Sequence, residues 1–282
     1  MNFLHDLDST IDLWFREDIG EGDHTTFSTI PGDAIGSAKL LVKEKGILAG
    51  LQVALRIFKR FDREILLDPL MEDGSAIRPG DVVLLVTGKL HSILQCERLV
   101  LNVMQRMSGI ATTTNAYVSL LEGTGTRILD TRKTTPGMRY LEKEAVKLGG
   151  GENHRFGLHD MIMIKDNHID FVGGIEQAIS STHAYLKEHK LALEIVVETR
   201  SLEDVNVVLS MGGVHRILLD NFTVEETREA VRLIDHRVET ESSGGITRDN
   251  IRAYAECGVD YISVGALTHQ IMSLDLSLKA DF

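Results

Sequence analysis

From residue 127 onward, short apolar or β-branched runs alternate with longer stretches in which apolar positions recur every three or four residues. The runs fall at 127–130, 161–164, 193–197, 216–219, 236–240 and 260–264. Their length and composition suit buried strands. Between the later runs lie polar–apolar stretches of helical length: Leu202–Leu209, Val224–Ile234 and Arg248–Glu256. Two of these open on a capping box, Thr223 with Glu226 and Ser201 with Asp204. Strand–helix alternation at this period predicts a parallel sheet with right-handed crossovers. The six strand units fall short of the eight of a closed barrel. The expected architecture is therefore an incomplete, open α/β barrel, with a doubly wound open sheet as the alternative.

The first 106 residues read differently. A helical stretch around Ile11–Asp18 leads into a Gly/Asp/Thr-rich loop, Gly20–Thr26. Strand-like Ala38–Lys43, helix-like Gln52–Phe61, strand-like Arg63–Leu67 and Val82–Leu90 follow, the last after the turn Arg78-Pro-Gly-Asp81. That mixture predicts an α+β domain over 1–106. Leu99, Val103, Met107 and Ile110 then recur at helical spacing between Leu94 and Leu121. They predict one long helix, or two broken near Gly109, leading into a barrel domain over 107–274. Residues 275–282 are expected to pack back on the first domain.

Composition narrows the class without choosing a chemistry. A chain of 282 residues with 43% hydrophobic and 26% charged residues is ordinary globular protein. The net charge of -12 and the lack of a basic tract argue against nucleic acid. Cys96 and Cys257 stand in no metal or redox spacing, so a reducing cytoplasm is expected. The N-terminal stretch is acidic (Asp6, Asp8, Asp12) where a secretion signal would be basic and then apolar. The longest apolar runs, such as Val82–Val86, are too short to span a bilayer, so no membrane is expected.

The chemistry stands at the ends of the strand-like runs. In order these ends carry Arg132-Lys133, Lys165, Glu198, Asp220-Asn221, Ser242-Ser-Gly-Gly245 and Val264-Gly-Ala266. Cations sort to the first two, carboxylates to the next two, small glycine turns to the last two. From Asp130 to His168 seven Lys/Arg face six Asp/Glu, so placement rather than net charge is the signal. In α/β proteins the C-terminal mouth of the sheet binds ligands, and the loops of the last strands commonly take a phosphate on backbone N–H groups. A protein this acidic must bind an anion with a local group of cations. Simpler readings exist: Glu198 and Asp220 as solvated strand ends, Lys165 paired with Asp166 or Asp160, and Arg98 as a solvated helix residue. The spacings of His154, His159 and His168 fit no common metal pattern. Gly149-Gly-Gly151 lacks the Lys-Ser/Thr of a P-loop.

Six ordered motifs resemble the quinolinate phosphoribosyltransferase family: Leu129-Asp-Thr-Arg-Lys-Thr134, Gly149-Gly-Gly-Glu-Asn-His-Arg155, Ile164-Lys-Asp-Asn-His168, Leu219-Asp-Asn-Phe222, Glu241-Ser-Ser-Gly-Gly245 and Val264-Gly-Ala-Leu-Thr-His269. The similarity extends to Gly20–Thr25, Glu97-Arg98 and Ser108–Thr112. Where members of the family often carry Glu-Val-Glu, this chain has Val196-Val-Glu198, and Glu198 is aligned with the functional glutamate. The resemblance implies an N-terminal α+β domain, an open α/β barrel, and a homodimer or a hexamer of dimers with shared active sites. It implies phosphoribosyl transfer from phosphoribosyl pyrophosphate to quinolinate with decarboxylation, giving nicotinate mononucleotide, pyrophosphate and carbon dioxide. Mg²⁺ and no organic cofactor are expected.

The resemblance also distributes roles. Arg132, Arg155 and Lys165, with His154 and an Arg98 contributed by the partner subunit, suit the two carboxylates of quinolinate, since guanidinium forks bind carboxylates bidentately. Lys133 suits pyrophosphate. Glu198 and Asp220 are placed at the ribose hydroxyls and Mg²⁺, where they would stabilise positive charge at the anomeric carbon. Ser243, Gly244 and Gly245, with Val264, Gly265 and Ala266, are expected at the 5′-phosphate. Thr131 and His168 complete the substrate-binding set, and Lys133, Lys165, Glu198 and Asp220 are the expected catalytic residues. Two rival functions are a lyase forming a Schiff base on Lys165 and a relative with a different substrate or none.

Overall fold

A computed structural model describes residues 3–281. The chain divides into two units, one ending at Thr113 and taking back the chain from Ile271, the other running from Thr114 to Gln270. The sequence predicts boundaries at 106/107 and 274/275; the first observed division falls inside a helix, where no change of residue pattern marks it, and the second four residues earlier than expected.

The first unit opens with α1 (Phe3–Ile19) and α2 (His24–Thr29). Then come β1 (Ile35–Val42), β2 (Gly46–Ile47), α3 (Leu51–Phe61), β3 (Leu66–Pro69), β4 (Ala76–Ile77) and β5 (Val82–Lys89). Helix α4 (Leu90–Leu120) carries the chain into the second unit. The stretch Gly20–Thr26, expected as loop throughout, turns helical at His24 because Asp23 caps it, accepting from the Thr26 N–H at 3.0 Å. Strand β1 buries Ala38, Leu40 and Val42 on alternate positions. Helix α3 buries Leu51, Ala54, Ile57 and Phe58. From it Arg56 and Arg60 reach Asp8 and Asp12 of α1, each at 2.6 Å. Helix α4 is not broken at Gly109. The glycine is there for close approach: a Cβ would stand 2.2 Å from the Met272 carbonyl oxygen.

In the second unit strands and helices alternate: β6 (Arg127–Leu129), α5 (Arg139–Leu148), β7 (Ile162–Ile164), α6 (Asp166–Val172), α7 (Ile175–His189), β8 (Ile195–Thr199), α8 (Leu202–Met211), β9 (Arg216–Asp220), α9 (Val224–Ile234), β10 (Glu239–Ser243), α10 (Ile251–Ala255), β11 (Tyr261–Ser263) and α11 (Ala266–His269). The final strand, β12 (Leu276–Ala280), pairs antiparallel with β1 in a four-stranded sheet ordered β12-β1-β5-β3. The six barrel strands pair in the order β6-β11-β10-β9-β8-β7, all parallel. The sheet is open because β6 and β7 do not pair; a single parallel bridge joins Leu129 to Glu152 instead. Thr223 and Glu226 form the full capping box. Ser201 caps α8 alone, because the Asp204 carboxylate turns to the Arg200 N–H instead. Strand β10 lies three residues beyond its expected run. Its residues are Glu, Thr, Glu, Ser and Ser, of which Thr240, Glu241 and Ser242 are buried, so a hydrophobic pattern does not register it.

Candidate active site

The parallel sheet brings its six C-terminal ends to one cavity of about 820 Å³, large enough for more than one small anion. Thr131, Arg132 and Lys133 enter it just beyond β6, and Lys165 just beyond β7. Glu198 and Asp220 stand at the ends of β8 and β9. Ser243, Gly244 and Gly245 leave β10, and Val264, Gly265 and Ala266 leave β11. His154 and Arg155 come from the loop between α5 and β7. Residues scattered over more than a hundred positions thus share one wall because parallel strands all end on the same side.

Two sequence-predicted residues do not line the cavity. His168 is exposed and caps α6: its Nδ1 accepts from the Lys165 N–H at 2.9 Å. That bond fixes the backbone of Lys165, the residue that opens α6. Arg98 is exposed on α4, outside the cavity.

The cationic wall is anchored by a buried ion pair. Asp130 is fully buried and Lys143 nearly so, and the two are in direct contact. Asp130 Oδ1 also accepts from the His154 N–H at 2.9 Å, and Lys143 donates to the His154 carbonyl at 3.0 Å. Asn153, with its amide nitrogen turned inward, donates to Asp130 Oδ2 at 2.7 Å and to the Lys143 carbonyl at 2.9 Å. The loop bearing Arg132 and Lys133 is thereby tied to the loop bearing His154 and Arg155. Burial pushes the Asp130 carboxyl up to about 6 in spite of the ammonium beside it. Burial and the facing Arg132 both make the Arg155 guanidinium easier to deprotonate than usual. An anion bound beside these two cations relieves their mutual repulsion.

Glu198 is 7% exposed and meets Lys165 Nζ at 3.4 Å. Asp220 accepts from the Ser243 hydroxyl at 2.6 Å and from the Asn221 amide at 2.7 Å. At Gly244, with φ +86°, any side chain is strained: a Cβ would meet Asn221 Oδ1 at 2.2 Å. Its neighbour Gly245 is also at positive φ, +61°. Backbone N–H groups are thus left free of side chains where a phosphate can approach.

Sequence reasoning gave no role to Glu241, which lies on the cavity floor and is 0% exposed. The signal was a carboxylate in the middle of a strand segment, where burial without partners is prohibitive. Burial alone would raise this carboxyl; His154, Ser263 and Arg216 outweigh it and hold the group below the usual range.

No group of three or more His, Cys, Asp or Glu side chains able to hold a metal occurs among the described residues. Glu198 and Asp220, in one cavity, fit the lighter arrangement in which Mg²⁺ is held by one or two carboxylates together with substrate phosphates.

Residues 23–108 match the family described as "Quinolinate phosphoribosyl transferase, N-terminal domain", and residues 110–279 its C-terminal domain. The chain is 44% identical over 292 residues to "Quinolinate phosphoribosyltransferase [decarboxylating] 1b" of Nicotiana tabacum, covering 98% of this chain and 83% of the relative. It is 40% identical over 278 residues to the "Probable nicotinate-nucleotide pyrophosphorylase [carboxylating]" of Bacillus subtilis, covering 99% and 94%. The crystal structure of NadC from Streptococcus pyogenes superposes with a TM-score of 0.92 at 40% identity, over 98% of this chain and 97% of that one. With both domains matched, in order and over nearly its whole length, the chain belongs to the quinolinate phosphoribosyltransferase family.

Proposed function

We infer that this protein transfers the phosphoribosyl group of phosphoribosyl pyrophosphate to the ring nitrogen of quinolinate and releases pyrophosphate and carbon dioxide, leaving nicotinate mononucleotide. One observation carries the reading beyond family membership. A single cavity is lined by the cations Arg132, Arg155 and Lys165, by the carboxylates Glu198 and Asp220, and by the glycine turns that follow β10 and β11. The cations match an aromatic dicarboxylate, the turns match a phosphate, and the acids suit positive charge that develops on the carbon joining the two.

In this reading Arg132 and Arg155 hold the two carboxylates and point the pyridine nitrogen at the anomeric carbon. Lys133 takes the departing pyrophosphate. As the bond to pyrophosphate breaks, positive charge grows on the ribose ring, and the fixed carboxylates of Glu198 and Asp220 stabilise it. Mg²⁺, carried in with the donor, would neutralise charge on the leaving group. The new pyridinium nitrogen then stabilises the ylide whose electron pair is left on the adjacent ring carbon when its carboxylate departs as carbon dioxide. Protonation of that carbon completes nicotinate mononucleotide.

Other parts of the reading rest on the sequence and the resemblance. They are a homodimer or larger assembly in which Arg98 serves the neighbouring subunit, and a reducing, cytoplasmic setting that suits two buried free cysteines. No helix among the described residues is long and apolar enough to cross a membrane.

The test is direct. Incubation with quinolinate, phosphoribosyl pyrophosphate and Mg²⁺ should release one carbon dioxide per nicotinate mononucleotide formed. Nicotinate should be at least ~100-fold poorer by kcat/KM, because the smaller acid leaves a desolvated cation unpaired. Equal use of the two acids would overturn the assignment of the cationic wall.

A further inference from the structure

Helix α5 holds both the loop of Arg132 and the loop of Arg155. Its Lys143, with Asp130, fixes the chain just before these cations: Asp130 accepts from the His154 N–H at 2.9 Å, and Lys143 donates to the His154 carbonyl at 3.0 Å. One turn earlier on the same helix stands Arg139, and it fixes the chain just after them. Arg139 Nε donates to the Thr134 hydroxyl at 2.9 Å, Nη1 to the Phe156 carbonyl at 3.2 Å, and Nη2 to the Arg132 carbonyl at a longer 3.5 Å. Phe156 is held on its other side as well, its N–H donating to Asp160 Oδ2 at 2.6 Å.

Neither cavity contact nor charge pairing explains Arg139. Its side chain does not line the cavity, and its three acceptors are neutral oxygens rather than a carboxylate. As the first residue of α5 it also stands where the helix dipole disfavours a cation. What the guanidinium supplies is a planar fork whose separate N–H groups reach two loops at once, which the single ammonium of a lysine cannot do. Lys133 is held separately: its N–H donates to the Thr131 hydroxyl at 3.0 Å, and its carbonyl accepts from the Thr268 hydroxyl of α11 at 2.8 Å. Loss of Arg139 therefore reaches Arg132 and Arg155 and leaves the backbone of Lys133 in place.

We propose that Arg139 is a positioning residue for the acceptor: by joining Thr134 to Phe156 it sets the spacing of the Arg132 and Arg155 guanidiniums to that of two carboxylates on adjacent ring carbons. The proposal rests on the assignment of quinolinate as acceptor. Two cations on independent loops lose freedom when a rigid dicarboxylate binds between them, and a cross-link removes most of that loss beforehand.

Wild-type turnover of quinolinate is measured first, and its absence would overturn the assigned reaction together with what is built on it. In an active wild type, calorimetric binding of quinolinate and of phosphoribosyl pyrophosphate with Mg²⁺ is compared with that of Arg139→Lys and Arg139→Gln. Both variants should weaken quinolinate at least ~10-fold, the scale of lost bonds from a charged group, and leave the donor within ~2-fold. Failure of lysine to rescue separates the fork from its charge. An Arg139→Lys protein that binds quinolinate like the wild type would overturn the proposal. So would equal losses for both substrates, which would make Arg139 a support of the whole cavity. Thr134→Val removes one acceptor at nearly constant volume and tests the same link with less risk to folding. It should weaken quinolinate at least ~3-fold without moving the donor, and an unchanged quinolinate constant would sink the cross-link.

Discussion

Asp130 and Lys143 form a buried pair whose protonation state governs two substrate loops at once. Because burial raises the Asp130 carboxyl to about 6, the folded protein takes up this proton as pH falls through that value. The Lys143 ammonium then loses its counter-charge, and the common anchor of Arg132, Lys133, His154 and Arg155 loosens. The kcat/KM for quinolinate should accordingly fall on the acid side of about pH 6. Lys143 lowers the Asp130 value, so Lys143→Met should move this limb to higher pH. A limb that stays in place in an active Lys143→Met enzyme would assign the titration to another group.

At the scale of elements, the glycine turn after β10 is locked to the end of β9. The Asn221 N–H donates to the Ser243 carbonyl at 2.9 Å, and Asn221 itself adopts φ +56°. Gly244→Ala would place a Cβ against Asn221 in a backbone region unfavourable to alanine. Strain of this kind costs about 1–3 kcal/mol. The KM for phosphoribosyl pyrophosphate should rise at least ~10-fold and Tm should fall, with quinolinate binding nearly unchanged. Loss of quinolinate binding to the same degree would mean that the turn supports the whole cavity rather than the phosphate end. The turn itself was legible from Ser-Ser-Gly-Gly, since glycine pairs mark positive φ. The position of the strand before it was not, because its buried residues are polar and take their partners from other strands.

At the scale of the whole molecule, one of the two expected site residues that do not line the cavity belongs to the first unit. Arg98 is exposed on α4, in the first unit, and the family resemblance assigns it to a neighbouring subunit. If that assignment holds, Arg98→Ala and Lys165→Ala proteins should each be nearly inactive. Mixing them under subunit exchange should then restore roughly a quarter of wild-type activity, since half the dimers carry one intact site of two. No recovery, with exchange verified by mass, would confine Arg98 to its own subunit.

The residue order by itself determined the alternation of strands and helices, the open six-unit sheet, and the sorting of cations, acids and glycines to the strand ends. These are local or periodic properties, and a parallel sheet converts them into one wall without further information. What the tertiary structure decided was every relation that depends on a partner far away in the chain. Helix α4 passes Gly109 unbroken, and the glycine leaves room for the Met272 carbonyl, which lies far along the chain. Glu241, a charge in the interior, is tolerable only because Arg216 and His154 converge on it from other segments. A buried charge is permitted by its partners, and one-dimensional spacing does not name them.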